Sequence, residues 1–137
     1  MELQLIWFKR DLRVLDHEPL VRAMRAGPTV ALYVYEPGYW ALPEHSPIHF
    51  DFVAQSVEEL RRDLAALGVP LLRRTGEAAP VLERMHHELG FAHIWSHEET
   101  GLDWTRRRDA RVAHVLAELE VRWTELPQFG VLRPSPG

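Results

Sequence analysis

The chain has 137 residues, of which 46% are hydrophobic and 26% charged, and this composition predicts one soluble globular domain rather than a disordered or fibrous chain. The formal net charge of −4 gives the domain as a whole no electrostatic footprint for nucleic acid, and the absence of cysteine excludes disulfides, thiolate nucleophiles and thiolate zinc sites. No apolar run approaches the ~20 residues that span a bilayer, so we expect a cytoplasmic protein without membrane contact.

Five short apolar runs alternate with segments of helical periodicity along the chain. The runs cover residues 3–8, 29–35, 69–73, 93–97 and 121–126. Alternation of this kind is typical of parallel strands joined by right-handed helical crossovers. It predicts an α/β, Rossmann-like, doubly wound five-stranded parallel sheet in the order 3-2-1-4-5, with helices on both faces.

Four amphipathic helices are predicted between these strands. Asp16 is positioned to cap the first helix, the second stops at Gly68, and the third closes at Gly90. The fourth is predicted to start near Thr105. The one long segment without periodicity, residues 37–47, contains Pro, Gly, Tyr and Trp and is predicted to form an ordered loop.

The predicted strand order places a crevice beside the first strand, between the carboxyl ends of strands one and four. The loops that meet there are residues 9–13, which carry a tight cluster of basic and acidic side chains, and residues 97–105. Tyr33 or Tyr35, at the end of the second strand, and His45 complete the predicted walls. A pocket of Arg, Tyr, His and paired Glu suits a flat, polar heteroaromatic ligand with hydrogen-bonding edges.

Several of these charged residues also have purely structural interpretations. Asp11 and Arg13 are expected to tie the first loop to neighbouring helices by ion pairs, whereas for Arg10 an ion pair and ligand contact are both open. For Glu98 and Glu99, a solvated loop, an acidic cap and ligand contact remain alternatives. The run of three arginines at residues 106–108 is expected to form surface ion pairs.

Several familiar catalytic patterns are absent from the sequence. No G-x-G-x-x-G or P-loop follows the first strand, which disfavours phosphate binding by a glycine-rich loop, and no G-x-S-x-G is present. His97 and the two glutamates after it begin a zincin-like pattern, but the second histidine that zinc requires four residues on is missing. The sequence therefore predicts no metal site and no catalytic residue.

Residues 7–17, W-F-K-R-D-L-R-V-L-D-H, closely resemble the opening signature of the DNA photolyase/cryptochrome family, W-(F/H)-R-R-D-L-R-x-x-D-N. Residues 31–37 resemble the second strand of that family with its acidic-proline exit. Residues 96–109 resemble the fourth strand and the following helix start, and residues 128–134 the segment that leaves the domain. The matches follow the order of the family and cover essentially the whole chain.

The resemblance implies that residues 1–132 form the N-terminal α/β domain of the family and that residues 133–137 begin an interdomain linker. The partner it implies is a C-terminal helical domain that binds FAD, and the intact protein would meet DNA. Such proteins are deoxyribodipyrimidine photo-lyases, which repair pyrimidine dimers in DNA in a light-driven reaction, or cryptochromes, which act as blue-light photoreceptors. The fragment alone is expected to be non-catalytic.

The resemblance further implies an antenna chromophore of the deazaflavin, FMN or pterin type. Carried over position by position, the binding residues are Arg10, Tyr33, His45 and one of Glu98 and Glu99. The alternative from another functional class is a stand-alone nucleotide-binding or protein-interaction α/β domain of the related superfamily.

Overall fold

The computed structural model describes residues 1–43 and 47–128, and for residues 47–49 the backbone alone. Five strands form one sheet in the order β3-β2-β1-β4-β5, and every neighbouring pair is parallel. The strands are β1 Gln4–Phe8, β2 Thr29–Tyr35, β3 Leu71–Thr75, β4 His93–His97 and β5 Arg122–Leu126. The predicted fold class and strand order are confirmed. His45 and residues 133–137, with the predicted domain boundary, lie outside the described residues.

Within the described residues, five helices connect the strands. They are α1 Glu18–Ala26, α2 Pro37–Trp40, α3 Pro47–Ala66, α4 Ala78–Leu89 and α5 Asp103–Glu118. The prediction of a loop over residues 37–47 was wrong at both ends. Pro37 is pre-organised for the first turn of a helix, and the backbone N–H groups of Tyr39 and Trp40 donate to the carbonyl of Glu36 at 3.0 and 3.2 Å.

The alternating side chains of β1 divide the core into two layers. Leu5 and Trp7 pack on one face with α4 and α5, whereas Ile6 and Phe8 pack on the other with α1 and α3. All five residues of β1 are buried, because this strand lies in the middle of the sheet and is covered on both faces. The carboxyl end of β1 therefore delivers residues 9–13 to the centre of one edge of the sheet.

The cap of α1 differs from the sequence prediction. Asp16 has a φ of 52° and makes no cap, and His17 takes its place because its side chain accepts a hydrogen bond from the backbone N–H of Leu20 at 3.1 Å. At the end of α4, the predicted stop is correct: Gly90 adopts the left-handed conformation, with φ 72° and ψ 33°.

Within the described ranges, no helix is both long enough and apolar enough to cross a bilayer.

Candidate functional site

Two cavities of about 380 Å³ each open at the carboxyl ends of the central strands. The first, here called the aromatic cavity, is walled in part by Tyr33, Tyr39, Trp40 and Phe52. The second, here called the polar cavity, lies between the loops that follow β1 and β4. Its lining is Lys9, Arg10, Asp11, His97, Glu98, Glu99, Thr100 and Gln128.

Arg10 lies at the boundary of the two cavities and lines both. Its guanidinium forms an ion pair with Glu99 at 2.5 Å and lies 4.3 Å from the centre of the Tyr39 ring, a cation–π distance. The Arg10 side chain remains 44% exposed despite these two contacts.

Three of the five predicted site residues meet at the aromatic cavity. Arg10, Tyr33 and Glu99 line it, and burial raises the pKa of the Tyr33 hydroxyl above its usual range. Glu98 is exposed and lines the polar cavity but not the aromatic one.

Arg108 is the principal residue that the sequence prediction misplaced. Its side chain is 4% exposed rather than on the surface, and it forms ion pairs with Glu36 at 2.8 Å, with Asp109 at 2.9 Å and with Glu99. Arg106 and Arg107 do lie on the surface, where both pair with Asp103. The helical spacing of α5 could have predicted the burial of Arg108, because the buried residues Val112 and Leu116 follow it by four and eight positions and therefore lie on the same face of the helix.

Glu36, also absent from the predicted set, is the second buried charge at this site. It follows β2, lines the aromatic cavity and is 8% exposed. One carboxylate oxygen, Oε1, accepts from Arg108, while Oε2 is buried without a hydrogen-bond partner. Burial raises the pKa of Glu36 to about 7, because loss of water outweighs the attraction of Arg108.

Asp11 accepts three hydrogen bonds in the wall of the polar cavity. The Lys9 backbone N–H donates to Oδ1 at 2.9 Å, and His17 Nε2 and His97 Nδ1 lie 2.6 and 2.8 Å from Oδ2. These hydrogen bonds, above all that from His17, hold the pKa of the Asp11 carboxyl well below its usual range despite burial. Asp11 therefore ties the first loop to α1 and β4, as an ionised acceptor.

These three side chains, Asp11, His17 and His97, are also close enough together to suggest a metal site. Their hydrogen bonds argue against it. His17 Nδ1 accepts from the N–H of Leu20, so the ring proton is on Nε2, the atom that faces Asp11. A metal on Nε2 would require that proton to move to Nδ1, which would place two N–H groups against each other and break the cap of α1.

Lys9 and Arg13 have structural contacts. The Lys9 ammonium donates to the His97 carbonyl at 3.1 Å and lies 4.4 Å from the centre of the Trp7 ring, and burial lowers its pKa. Arg13 was expected to form an ion pair with a neighbouring helix. It instead donates to the carbonyls of Leu15 and Asp16 and to the side chain of Gln128.

The sequence and the fold of the chain are similar to those of known proteins. The family model for DNA photolyase matches residues 4–135. A deoxyribodipyrimidine photo-lyase of Vibrio cholerae is 30% identical over 97% of the chain, and a cryptochrome DASH of Gloeobacter violaceus is 36% identical over 85%. The chain spans 29% and 24% of the lengths of these two relatives.

Solved structures agree with the sequence relatives. A Synechocystis cryptochrome superposes with a TM-score of 0.83 at 29% identity, over 90% of this chain and 26% of that one. A bacterial class III photolyase from Agrobacterium tumefaciens superposes with a TM-score of 0.78 at 19% identity, over 93% of this chain and 26% of that one, and supports the fold alone.

Proposed function

Because this chain belongs to the DNA photolyase family and corresponds to its N-terminal α/β domain, we propose that it binds an antenna chromophore in the aromatic cavity. The ligand class is a flat heteroaromatic ring of the deazaflavin, FMN or pterin type. In the intact protein, the partner would be a C-terminal helical domain carrying FAD. The activity of that protein would be light-driven repair of pyrimidine dimers in DNA, or blue-light signalling.

The observation that carries this proposal is the composition of the aromatic cavity. Its volume of about 380 Å³ lies in the ordinary range for small-ligand sites, and Tyr39, Trp40 and Phe52 supply aromatic surface on which a ring can stack. Arg10 places a cation at one edge, where ring carbonyl oxygens can accept its N–H groups. A flat ring with a polar edge matches both features.

The protein's own residues would bind and orient this ring. Tyr33 forms a wall, and Glu99 holds the Arg10 guanidinium against Tyr39 so that the cation is positioned before the ligand arrives. A bound chromophore would supply light absorption and would pass excitation energy to FAD. Glu98 and His45 remain proposed ligand contacts from the family resemblance.

Titration with FMN tests the proposal. We expect weak binding, followed by quenching of FMN fluorescence, and at least about tenfold weaker binding by Arg10→Ala, because a hydrogen bond from a charged group is lost. Arg22→Ala is the matched control, since Arg22 is an exposed arginine paired with Glu18 on α1. Equal affinity in wild type and Arg10→Ala would contradict the proposed site.

A further inference from the structure

Glu36 carries an unexplained buried oxygen, and its side chain lies between the aromatic cavity and a smaller one of about 220 Å³. Among the side chains that the structure describes, Glu36 Oε2 is the one buried oxygen or nitrogen atom without a hydrogen-bond partner. An unpartnered buried oxygen of this kind destabilises a protein unless something else supplies the missing donor. The backbone and Oε1 of Glu36 are both anchored, the first by the turn of α2 and the second by Arg108.

The two glutamates favoured by the sequence are less suited to accept a hydrogen bond from a ring in this cavity. Glu99 already uses both carboxylate oxygens, since Oε1 pairs with Arg108 and Oε2 with Arg10. Glu98 lines the polar cavity rather than the aromatic one. Glu36 combines a position in the aromatic cavity wall with an oxygen that has no donor.

The charge balance around Glu36 favours a ligand that brings a donor. Arg108 forms ion pairs with three carboxylates, and Arg10 forms an ion pair with one of the same three, Glu99. Two guanidinium groups therefore lie beside three acidic groups. The nearby Lys9 ammonium has its own acid, Glu125, at 4.0 Å. When Glu36 is ionised, above its pKa of about 7, one negative charge is left in surplus, and it would repel an anionic ring edge and attract an N–H group.

We propose that Glu36 Oε2 accepts a hydrogen bond from an N–H group on the edge of the bound ring, and that the cavity thereby selects rings that carry an imide, lactam or amine N–H. This inference rests on the proposed function, because it concerns the ligand of that same cavity. The last torsion of a glutamate side chain has a broad energy profile, so we expect ligand binding to rotate the carboxylate far enough for Oε2 to reach the cavity while Oε1 stays within hydrogen-bond reach of Arg108. Glu36 is on this basis a specificity-determining residue.

A pair of flavin probes tests this inference without any mutation. Lumiflavin carries an N–H between two carbonyl groups, and 3-methyllumiflavin has a methyl group in place of that hydrogen. We expect the 137-residue chain to bind lumiflavin at least about tenfold more tightly than 3-methyllumiflavin in a titration followed by flavin fluorescence.

The Glu36→Gln variant gives the matching test from the protein side. The glutamine amide has one oxygen acceptor and one NH₂ donor. If the oxygen accepts from Arg108, the NH₂ group faces the ring N–H and the two donors oppose each other. If the amide is turned over, the NH₂ group opposes the Arg108 donor instead. We expect this variant to bind lumiflavin about as weakly as wild type binds the methylated probe, and to show no preference between the two. Circular dichroism checks that the variant is folded.

The outcomes separate this inference from the proposed function. Equal affinity of wild type for the two probes, with both weakened by Arg10→Ala, would overturn the role of Glu36 and leave the site in place. A preference for lumiflavin that persists unchanged in folded Glu36→Gln would likewise overturn it. Failure of wild type to bind either probe would contradict the proposed flavin-type ligand and this inference together.

Discussion

His17 illustrates how one side chain at the start of α1 can serve two neighbours. Its Nδ1 accepts from the backbone of Leu20, and its Nε2 donates to the carboxylate of Asp11. Making both contacts at once requires a neutral ring, because a protonated imidazole still donates to Asp11 but has no acceptor left for the Leu20 N–H. The ring is fully enclosed, with 0% of its side chain exposed.

The first prediction concerns the pH dependence of stability. Burial lowers the pKa of His17 and outweighs the hydrogen bond to Asp11, whereas the unfolded chain should titrate this histidine near its ordinary pKa of about 6.5. The unfolded state therefore binds the proton more readily. We expect the free energy of unfolding, measured by urea titration, to receive a contribution from His17 that is lost as pH falls below about 6.5.

His17→Asn is the variant that isolates this contribution. An asparagine can cap α1 with its side-chain oxygen and donate to Asp11 with its NH₂ group, but it does not titrate. Between about pH 5 and 7, above the range in which an ordinary aspartate titrates, the difference in pH dependence between wild type and variant is assigned to His17, since the lowered pKa of His93 and the raised pKa of Glu36 are present in both proteins. An identical loss of stability at low pH in both proteins would contradict the prediction.

At the scale of the elements, Arg108 fastens α5 to the carboxyl ends of two strands. It reaches from the first half of α5 to Glu36, which follows β2, and to Glu99, which follows β4. The guanidinium also lies 5.0 Å from the centre of the Trp7 ring at the end of β1. One buried cation thus helps to set the shape of the aromatic cavity.

We therefore predict that Arg108→Met lowers the free energy of unfolding by about 3–5 kcal/mol in urea denaturation, because three carboxylates lose a buried partner. The neighbouring Arg107→Met is the control: that side chain is 70% exposed and pairs only with exposed Asp103 in the described structure, so little change is expected. Similar stabilities of the two variants would show that the buried ion pairs make no net contribution.

At the scale of the whole molecule, the two helical layers leave one edge of the sheet open. The strands run parallel, so their carboxyl ends, and the loops that follow them, all lie at the same edge. The aromatic and polar cavities both lie there, and the central position of β1 explains why residues 9 and 10 line both of them.

For the chain as a whole, we predict that illumination of the 137-residue protein with DNA containing thymine dimers gives no repair. The described residues form one α/β domain, and the FAD-binding helical domain implied by the family resemblance is not among them. The formal net charge of −4 also opposes unassisted binding to DNA. Repair by this chain alone, measured as loss of dimers after illumination, would contradict the assignment of catalysis to another domain.

The amino-acid sequence by itself determined the strands and the stop of α4 at Gly90, because apolar periodicity and glycine conformation are local properties of the chain. It also indicated the parallel order of the strands, through the general rules for helical crossovers, and the family, through motifs such as that of residues 7–17. It also identified the edge of the sheet where Arg10, Tyr33 and Glu99 meet. Only the tertiary structure decided which charges are buried and paired. Arg108 and Glu36 are 72 residues apart, and their contact depends on how α5 packs against the end of β2. The free oxygen of Glu36 and the choice of His17 over Asp16 as a cap likewise depend on neighbours that folding brings together, which no local pattern records.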